Sequence, residues 1–398
     1  MTTVSRKAIL FTHRKEEVGS RMDSTFRAFG SPCRYIQGPG ALDRLPDYAR
    51  ALGGKAAILV DSFLYDSMCS RLERSMAKGA VEYSTIRSGG ECSEKEISRV
   101  CKLVSEAGAR IIAGIGGGKT LDVAKYVAKK LMLYSVIIPS SASCDAATSA
   151  MSVLYHEDGS YDRCVRHGNN PDLILVDSEI ILNAPVRLFA AGIGDALSTY
   201  YEATACETSG AGNYIDSGFS RCRAGIAIAK ECFDILKRDA VTAMEDVRSG
   251  RLSKSVEDVI EANILLSGLG FENTGCAAAH SLHTGLHVFP QANKYLHGEM
   301  VAFGVLFEAV LEDRSREELD WLVNFLAACE LPVTLAQFGI DSGEDTMRQI
   351  VNAVLSCDSG IEAEPFPVTE QIFFEALARA DALGREFLES RTPGRSDL

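Results

Sequence analysis

The stretch Ala113-Gly-Ile-Gly-Gly-Gly-Lys-Thr120 joins an apolar run to a run with helical periodicity. Its three successive glycines let backbone N–H groups approach an anion without interference from Cβ atoms, and a helix that starts here presents its positive amino end. Lys119 adds a positive charge, and Thr120 can form a hydrogen bond. The stretch therefore predicts a strand, a phosphate-binding turn and a helix, in that order.

This turn matches neither of two familiar phosphate-binding motifs. A P-loop requires glycine five positions before Gly118, where this chain has Ala113. The dinucleotide fingerprint, started at Gly114, requires glycine where this chain has Lys119. We therefore interpret the stretch as a phosphate-binding turn of a third kind. A tight strand-to-helix turn that binds no ligand is the alternative.

Apolar runs alternate with helical periodicity on both sides of the turn. Strands are predicted at 55–61, 81–86, 110–115, 134–138 and 173–176, and helices at 91–108 and 121–132. This alternation is typical of a mostly parallel sheet, so residues 30–184 are predicted to form an α/β nucleotide-binding domain. Residues 1–29 are expected to be a poorly ordered tail.

The pattern changes near Asn183-Ala-Pro185. Beyond it, long amphipathic runs replace the short apolar ones, at 190–207, 219–238, 256–269, 277–288 and 301–312. An all-α domain is therefore predicted over residues 185–398. The length of 398 residues fits two domains better than one.

Composition excludes several classes of protein. The net charge of −13 argues against nucleic acid as a partner, since binding a duplex requires a basic face. No run of about eighteen uninterrupted apolar residues occurs, so no membrane span is expected. The 12 cysteines include no CxxC pair, which favours reduced thiols in a cytoplasmic enzyme.

Asp61 ends the first clear apolar run. A carboxylate at the carboxyl end of such a strand can accept hydrogen bonds from an adenosine ribose, which would favour NAD over NADP. The same residue could instead be the N-cap of a helical segment that begins with Ser62-Phe63. The residues alone favour the cap.

Four of the seven histidines fall within eighteen residues: His280, His283, His287 and His297. The first three have helical spacing and lie on one face, whereas His297 enters a further helix. Asp195 stands near the start of an earlier helix. Nitrogen ligands from two segments and a carboxylate from a third predict a divalent metal site. His287, which apolar residues follow, is interpreted as a hydrogen-bonded core residue.

Five motifs, in this order, resemble those of the glycerol dehydrogenases, a zinc-dependent branch of the iron-containing alcohol dehydrogenase superfamily. They are Gly116-Gly-Gly-Lys-Thr120, Ile138-Pro-Ser-Ser-Ala-Ser-Cys-Asp145, Gly192-Ile-Gly-Asp195, Ala279-His280 with His283, and His297-Gly-Glu299. The resemblance covers roughly residues 30–398. It implies a dehydroquinate synthase-like architecture, in which a cleft separates the α/β domain from the all-helical domain.

The resemblance also implies the cofactors and the residues that hold them. Zinc would be bound by Asp195, His280 and His297. NAD would contact Asp61 at the ribose, Gly116, Gly117, Gly118, Lys119 and Thr120 at the pyrophosphate, and Ser140, Ser143, Ser149, Met151 and Tyr155 towards the nicotinamide. The substrate would contact Asp145, with Asp195 and His280 close by, and His283 is a candidate proton relay; a supporting role for His283 is the alternative.

One departure from the wider superfamily is informative. Iron-dependent members carry a histidine four residues after the helical aspartate, and this chain has Thr199 there. Three protein ligands with open coordination positions are typical of catalytic zinc. Two smaller departures bear on the choice of substrate: Ser140 and Cys144 stand where threonine is frequent, and Ala146-Ala147 where proline is common.

The expected activity is the NAD-dependent oxidation of a small vicinal diol, with glycerol giving dihydroxyacetone. A homo-oligomer, often an octamer in the family, is implied by the resemblance. Three alternatives stay open: a glycerol-1-phosphate dehydrogenase, a lyase resembling 3-dehydroquinate synthase, and a non-catalytic nucleotide- or metal-binding protein. The first two need cations beside the substrate, and Arg163, Arg166 and His167 are the basic residues between the motifs.

Overall fold

The computed structural model describes residues 23–215, 219–357 and 359–391. Its amino-terminal half is a six-stranded parallel sheet with strand order β2-β9-β6-β5-β3-β4. The strands of this half are β1 (Asp23–Ala28), β2 (Tyr35–Gly38), β3 (Ala56–Val60), β4 (Tyr83–Arg87), β5 (Ile111–Gly116), β6 (Tyr134–Pro139), β7 (Met151–Tyr155), β8 (Tyr161–Arg166) and β9 (Leu173–Asp177). Its helices are α1 (Leu45–Leu52), α2 (Tyr65–Gly79), α3 (Glu94–Glu106), α4 (Gly118–Leu131) and α5 (Ser178–Leu182).

The apolar runs of the sequence are strands because the sheet is covered on both faces. Along β3, Ala57 and Leu59 pack into one hydrophobic cluster, whereas Ala56, Ile58 and Val60 pack into the other. Strands buried on both faces read as continuous apolar runs rather than as alternating ones. The predicted mostly parallel α/β fold is confirmed.

The second half consists mainly of helices. They are α6 (Val186–Ser209), α7 (Arg223–Arg248), α8 (Lys254–Glu261), α9 (Ser267–Thr274), α10 (Ala278–Leu286), α11 (His297–Leu311), α12 (Arg316–Ala328), α13 (Glu344–Leu355) and α14 (Glu370–Arg391). A π-helical turn, Ala262–Leu266, joins α8 to α9. Within the described ranges, no helix is both long enough and apolar enough to cross a membrane.

Two expectations need correction. Asp23–Ala28, placed in the tail, forms β1 and pairs in parallel with β10 (Phe219–Arg221). The second half therefore contains a short strand, and residues 219–221 precede helix α7 instead of belonging to it. Residues 1–22 lie outside the described ranges. The strand β2 and the antiparallel pair β7–β8 were also not predicted.

The strand order reverses direction between β3 and β5. From β3 the chain proceeds to β4 on one side, and from β5 it proceeds to β6 and β9 on the other. In open α/β sheets, ligands bind in the crevice at the carboxyl ends of the strands beside such a switch point. The glycine turn and Asp61 both lie there, because they follow β5 and β3.

Candidate active site

Two positions of the turn, 116 and 117, are occupied by glycine for different structural reasons. A Cβ at Gly116 would crowd Thr120 and Asp61 at 2.8 and 2.9 Å, so packing requires glycine there. Gly117, the residue before α4, has φ −81° and nothing within 4 Å of a Cβ placed on it. Packing would therefore allow a side chain at Gly117. Such a side chain would fill the space in front of the free N–H groups of α4. A ligand that approaches the backbone closely explains glycine at this position.

The Asp61 carboxylate is already engaged on both oxygens. Oδ1 accepts a hydrogen bond from the Phe63 N–H at 3.0 Å, and Oδ2 accepts one from the Thr120 hydroxyl at 3.2 Å. Helix α2 begins at Tyr65, after Leu64 at its cap position, so the interpretation of Asp61 as a helix cap is wrong. Thr120 is buried. Its hydrogen bond to Asp61 connects the residue after β3 to the first turn of α4, which follows β5.

Lys119 is paired with an acid. Its Nζ lies 2.6 Å from Glu91 Oε2 and 4.8 Å from the centroid of the Tyr155 ring. Met151 and Tyr155 are half-buried residues at the two ends of β7. The structure therefore brings two of the predicted cofactor residues, Lys119 and Tyr155, into contact beside the glycine turn.

The loop 140–150 connects the turn to the second half. Ser140 donates its N–H to the carbonyl of Gly116 at 3.0 Å, and the hydroxyls of Ser141 and Ser143 are 3.1 Å apart. Buried Lys125 supports the loop from α4, donating from Nζ to the carbonyls of Ala146, Ser149 and Met151. Sequence reasoning missed Lys125, because a single lysine in an amphipathic run normally faces solvent.

Asp195, His280 and His297 meet, although they come from α6, α10 and α11. Asp195 Oδ1 lies 3.0 Å from His297 Nε2 and 3.9 Å from His280 Nε2. One ligand atom from each of the three residues lies within 4.8 Å of the others. A carboxylate oxygen and two imidazole nitrogens at such distances can converge on one divalent ion.

Glycines let these helices approach closely enough for the cluster to form. A Cβ at Gly298 would overlap the carbonyl of Ala191, and a Cβ at Gly194 would overlap the carbonyl of Gly298. The backbones of α6 and α11 therefore touch one residue away from Asp195 and His297. Any side chain at this crossing would separate the two ligands.

Gly298→Ala is expected to lower the free energy of unfolding by about 3 kcal/mol, the upper end of the usual cost of overpacking, because backbone cannot yield as a side chain can. Thermal or urea unfolding of the metal-free protein measures this. Gly212→Ala is the matched control, since nothing lies within 4 Å of a Cβ there, and a change within about 0.5 kcal/mol is expected. Equal stability of the two variants would contradict the close crossing.

Glu202 fixes the orientation of His280 and was missed in the sequence. Its Oε2 lies 2.7 Å from His280 Nδ1, and its Oε1 accepts the N–H of His280 at 2.9 Å. A carboxylate that accepts the Nδ1 proton leaves Nε2, which faces Asp195, free to bind a metal. Glu202, Cys276 and His280 form a second group with metal-ligand spacing. Because the Nδ1 proton already bonds to Glu202, we interpret this group as support for the first.

A row of imidazoles leads from the cluster to the surface. His283 Nε2 lies 3.0 Å from His297 Nδ1 and 3.1 Å from His287 Nε2, and His287 Nδ1 lies 2.8 Å from Asn293 Oδ1. The interpretation of His287 as a core residue is wrong, because its side chain is exposed. The apolar residues that follow it leave the helix, so they do not share its environment.

Asp145 lies beside Asp195. Its backbone N–H donates to Asp195 Oδ2 at 3.3 Å, and its own Oδ2 accepts from the Ser267 hydroxyl at 2.7 Å. Burial and the neighbouring Asp195 charge raise the pKa of Asp145 to about 8. Burial also opposes ionisation of Asp195, but His297 and His280 outweigh it and lower the pKa of Asp195. Two carboxyl groups at one site thus favour different protonation states.

The two halves form one continuous site. A Cβ at Gly118 would lie 3.6 Å from Cys144 Sγ, and Cys144 immediately precedes Asp145. The glycine turn, Asp145 and the three ligand-type residues therefore follow one another in space.

Comparisons with known proteins identify the family of the chain. The family model for iron-containing alcohol dehydrogenase matches residues 32–178, which places the fold in that class. Glycerol dehydrogenase of Pseudomonas putida is 40% identical over 91% of this chain and 99% of its own, and that of Thermotoga maritima is 42% identical over 89% and 96%. The crystal structure of a probable glycerol dehydrogenase from Sinorhizobium meliloti is 43% identical in sequence and has a TM-score of 0.84. The match covers 90% of this chain and 99% of that one. The chain belongs to the glycerol dehydrogenase family and is an oxidoreductase.

Proposed function

We propose that this enzyme oxidises glycerol to dihydroxyacetone with NAD as the hydride acceptor and zinc as the metal. The observation that carries the proposal is the cluster of Asp195, His280 and His297 beside Asp145, across the cleft from the glycine turn. The family's glycerol dehydrogenases support the substrate.

The residues present fit zinc. The donor set is one carboxylate and two imidazoles, and Glu202 holds one imidazole in the tautomer that a metal requires. Thr199 does not extend this set, since its hydroxyl lies 3.0 Å from the Ser267 hydroxyl. A metal held by these three residues would keep coordination positions open for substrate oxygens. Bound there, zinc would supply Lewis acidity towards an alcohol oxygen.

The residues also fit NAD. The open space at Gly117 and the free N–H groups of α4 suit a pyrophosphate, and Asp61 suits an unphosphorylated ribose. In this proposal Lys119 exchanges Glu91 for the pyrophosphate when the cofactor binds. In the same proposal, the nicotinamide side of the cofactor contacts Ser140, Ser143, Ser149, Met151 and Tyr155. Bound there, NAD would supply the hydride acceptor.

The chain's own groups orient the substrate and carry the proton. Asp145, held by Ser267, binds a substrate hydroxyl and determines which carbon faces the cofactor. The proton released from the alcohol passes through His283 to exposed His287 and then to solvent. His283 Nε2 faces both His297 Nδ1 and His287 Nε2, so in this proposal the ring accepts the proton and passes it on at the same nitrogen.

A phosphorylated substrate is not favoured. The basic residues between the motifs have other partners: Arg163 pairs with Glu94, Arg166 stacks over the Tyr214 ring, and His167 is buried against Ser152. Both the glycerol-1-phosphate and the dehydroquinate synthase alternatives would need a cation beside Asp145. We further propose, on the family resemblance, that the enzyme is cytoplasmic and forms a homo-oligomer, with an octamer as the expected state.

NADH formation from glycerol, followed at 340 nm, is expected to fall to background after chelation and to return with zinc, because the substrate oxygens need a Lewis acid. The control is chelation followed by magnesium, which prefers oxygen ligands and should not restore the rate. Glycerol-1-phosphate is tested in parallel. Turnover that survives complete removal of metal, or that prefers the phosphate ester, would overturn the proposal.

A further inference from the structure

The amino end of α10, the helix that carries His280, is held in an unusual way. Its first four N–H groups have no partner within the helix, and Ala277 at the cap position has no side-chain acceptor. Three glutamates accept them instead. Glu202 Oε1 accepts from Ala277 and His280 at 2.8 and 2.9 Å, Glu364 Oε1 from Ala278 at 3.1 Å, and Glu308 Oε2 from Ala279 at 3.1 Å.

Three other helices of this fold begin more simply. Each of α3, α8 and α12 is capped by one serine hydroxyl, from Ser93, Ser253 and Ser315. A serine cap satisfies the helix without burying a charge. The three glutamates are all buried, and carboxylates are costly to bury. Helix capping alone therefore does not explain why α10 needs them.

Two of the glutamates also leave an oxygen without a donor among the described residues, Glu308 Oε1 and Glu364 Oε2. Burial and the neighbouring Glu364 raise the pKa of Glu308 well above its usual range, and burial with Glu312 raises the pKa of Glu364 to about 8. Protonation relieves part of the repulsion, and the positive amino end of α10 offsets more of it.

The three acids arrive from three directions. Glu202 lies on α6, seven residues after Asp195, Glu308 lies on α11, eleven residues after His297, and Glu364 follows the short turn Ile361–Ala363. Glu202 and Glu308 thus connect the start of α10 to the two helices that bear the other ligand-type residues. A Cβ at Gly304 would overlap the carbonyl of Ala279, so α11 already touches this first turn.

We propose that Glu202, Glu308 and Glu364, here called the glutamate collar, form a positioning device that sets the distance of His280 from Asp195 and His297. The inference deepens the proposed function and depends on the same metal centre. Glu202 acts on the ring of His280 directly. Glu308 and Glu364 are positioning residues that touch neither metal nor substrate and act only through the backbone of α10.

The test measures zinc affinity of the metal-free enzyme by competition with a chromogenic chelator. Glu308→Leu keeps the side chain's bulk but removes the acceptor, and we expect a 10- to 100-fold loss of zinc affinity. Glu308→Gln keeps an acceptor oxygen for Ala279 and should stay within about twofold of wild type. Ser253→Ala, which removes a cap from α8, controls for a loss of helix stability away from the site. The visible spectrum of the cobalt-substituted enzyme should change for Glu308→Leu alone.

Zinc affinity of Glu308→Leu equal to that of Ser253→Ala would overturn the inference. If Glu308→Leu does not fold, Glu364→Ala takes its place, because Glu364 lies in a loop and not on a helix. The same loss of zinc affinity is expected for it. NAD affinity, which depends on the other half of the molecule, should stay unchanged in every variant. A wild-type enzyme that binds no divalent metal would overturn the proposed function itself, whereas unchanged variants of a zinc-binding wild type would overturn only the role of the collar.

Discussion

Asp195→Ala is expected to abolish zinc binding and to lower kcat/KM for glycerol at least about 10³-fold, while the protein stays folded. Asp195 supplies the only carboxylate of the three-residue cluster, and its Oδ1 faces both imidazoles. Without it, the two histidines alone would have to hold the ion. A metal at this site would supply several kcal/mol of transition-state stabilisation, and each 1.36 kcal/mol corresponds to about tenfold in rate.

Zinc affinity, NADH formation and thermal unfolding are measured together on the purified variant. The matched control is Asp246→Ala, which removes another buried aspartate, one that lies on α7 and pairs with Arg251 beyond its end. The control is expected to lose stability but to keep zinc binding. Asp195→Ala is expected to lose zinc binding but to stay folded. Full activity in Asp195→Ala, or lost activity with zinc retained, would contradict the assigned role.

The parts of the fold that could be predicted are those whose signal is local. The glycine turn, the buried strand before it and the helix after it are determined by residues next to one another, and the structure has β5, the turn and α4 in that order. The clustered histidines and Asp195 predicted a metal site, and the family resemblance then selected Asp195, His280 and His297 as its ligands.

The parts that could not be predicted depend on distant contacts. β1 pairs with β10 almost 200 residues later, and a three-residue strand is too short to show periodicity. His287 was misinterpreted because its neighbours in the sequence are apolar, whereas its neighbours in space are His283 and Asn293.

Glu202 was missed for a different reason. Asp195, Thr199 and Glu202 are spaced i, i+4 and i+7, so they share one stripe of α6. That spacing was available in the sequence. However, α6 is buried on nearly all sides, so its apolar pattern does not reveal which polar residue faces the site.

Glu202→Gln is expected to weaken zinc binding 10- to 100-fold, the usual cost of losing the partner of a metal-binding histidine. The amide oxygen of glutamine can still accept the N–H groups of Ala277 and His280, so the start of α10 stays capped. The amide NH₂ then faces His280 Nδ1, where the carboxylate accepted a proton. Because NH₂ can only donate, it favours the tautomer that carries its proton on Nε2.

A proton on His280 Nε2 would block the nitrogen that faces Asp195 Oδ1. The defect is therefore one of metal affinity, and high zinc should restore kcat close to wild type with little change in KM. A distortion of the helix would not be rescued in this way. Glu207→Gln, an exposed position five residues further along α6, is the control and should bind zinc as wild type does. If Glu202→Gln bound zinc normally, the carboxylate would not be what selects the tautomer of His280; if zinc did not rescue it, Glu202 would act on the backbone of α10 alone.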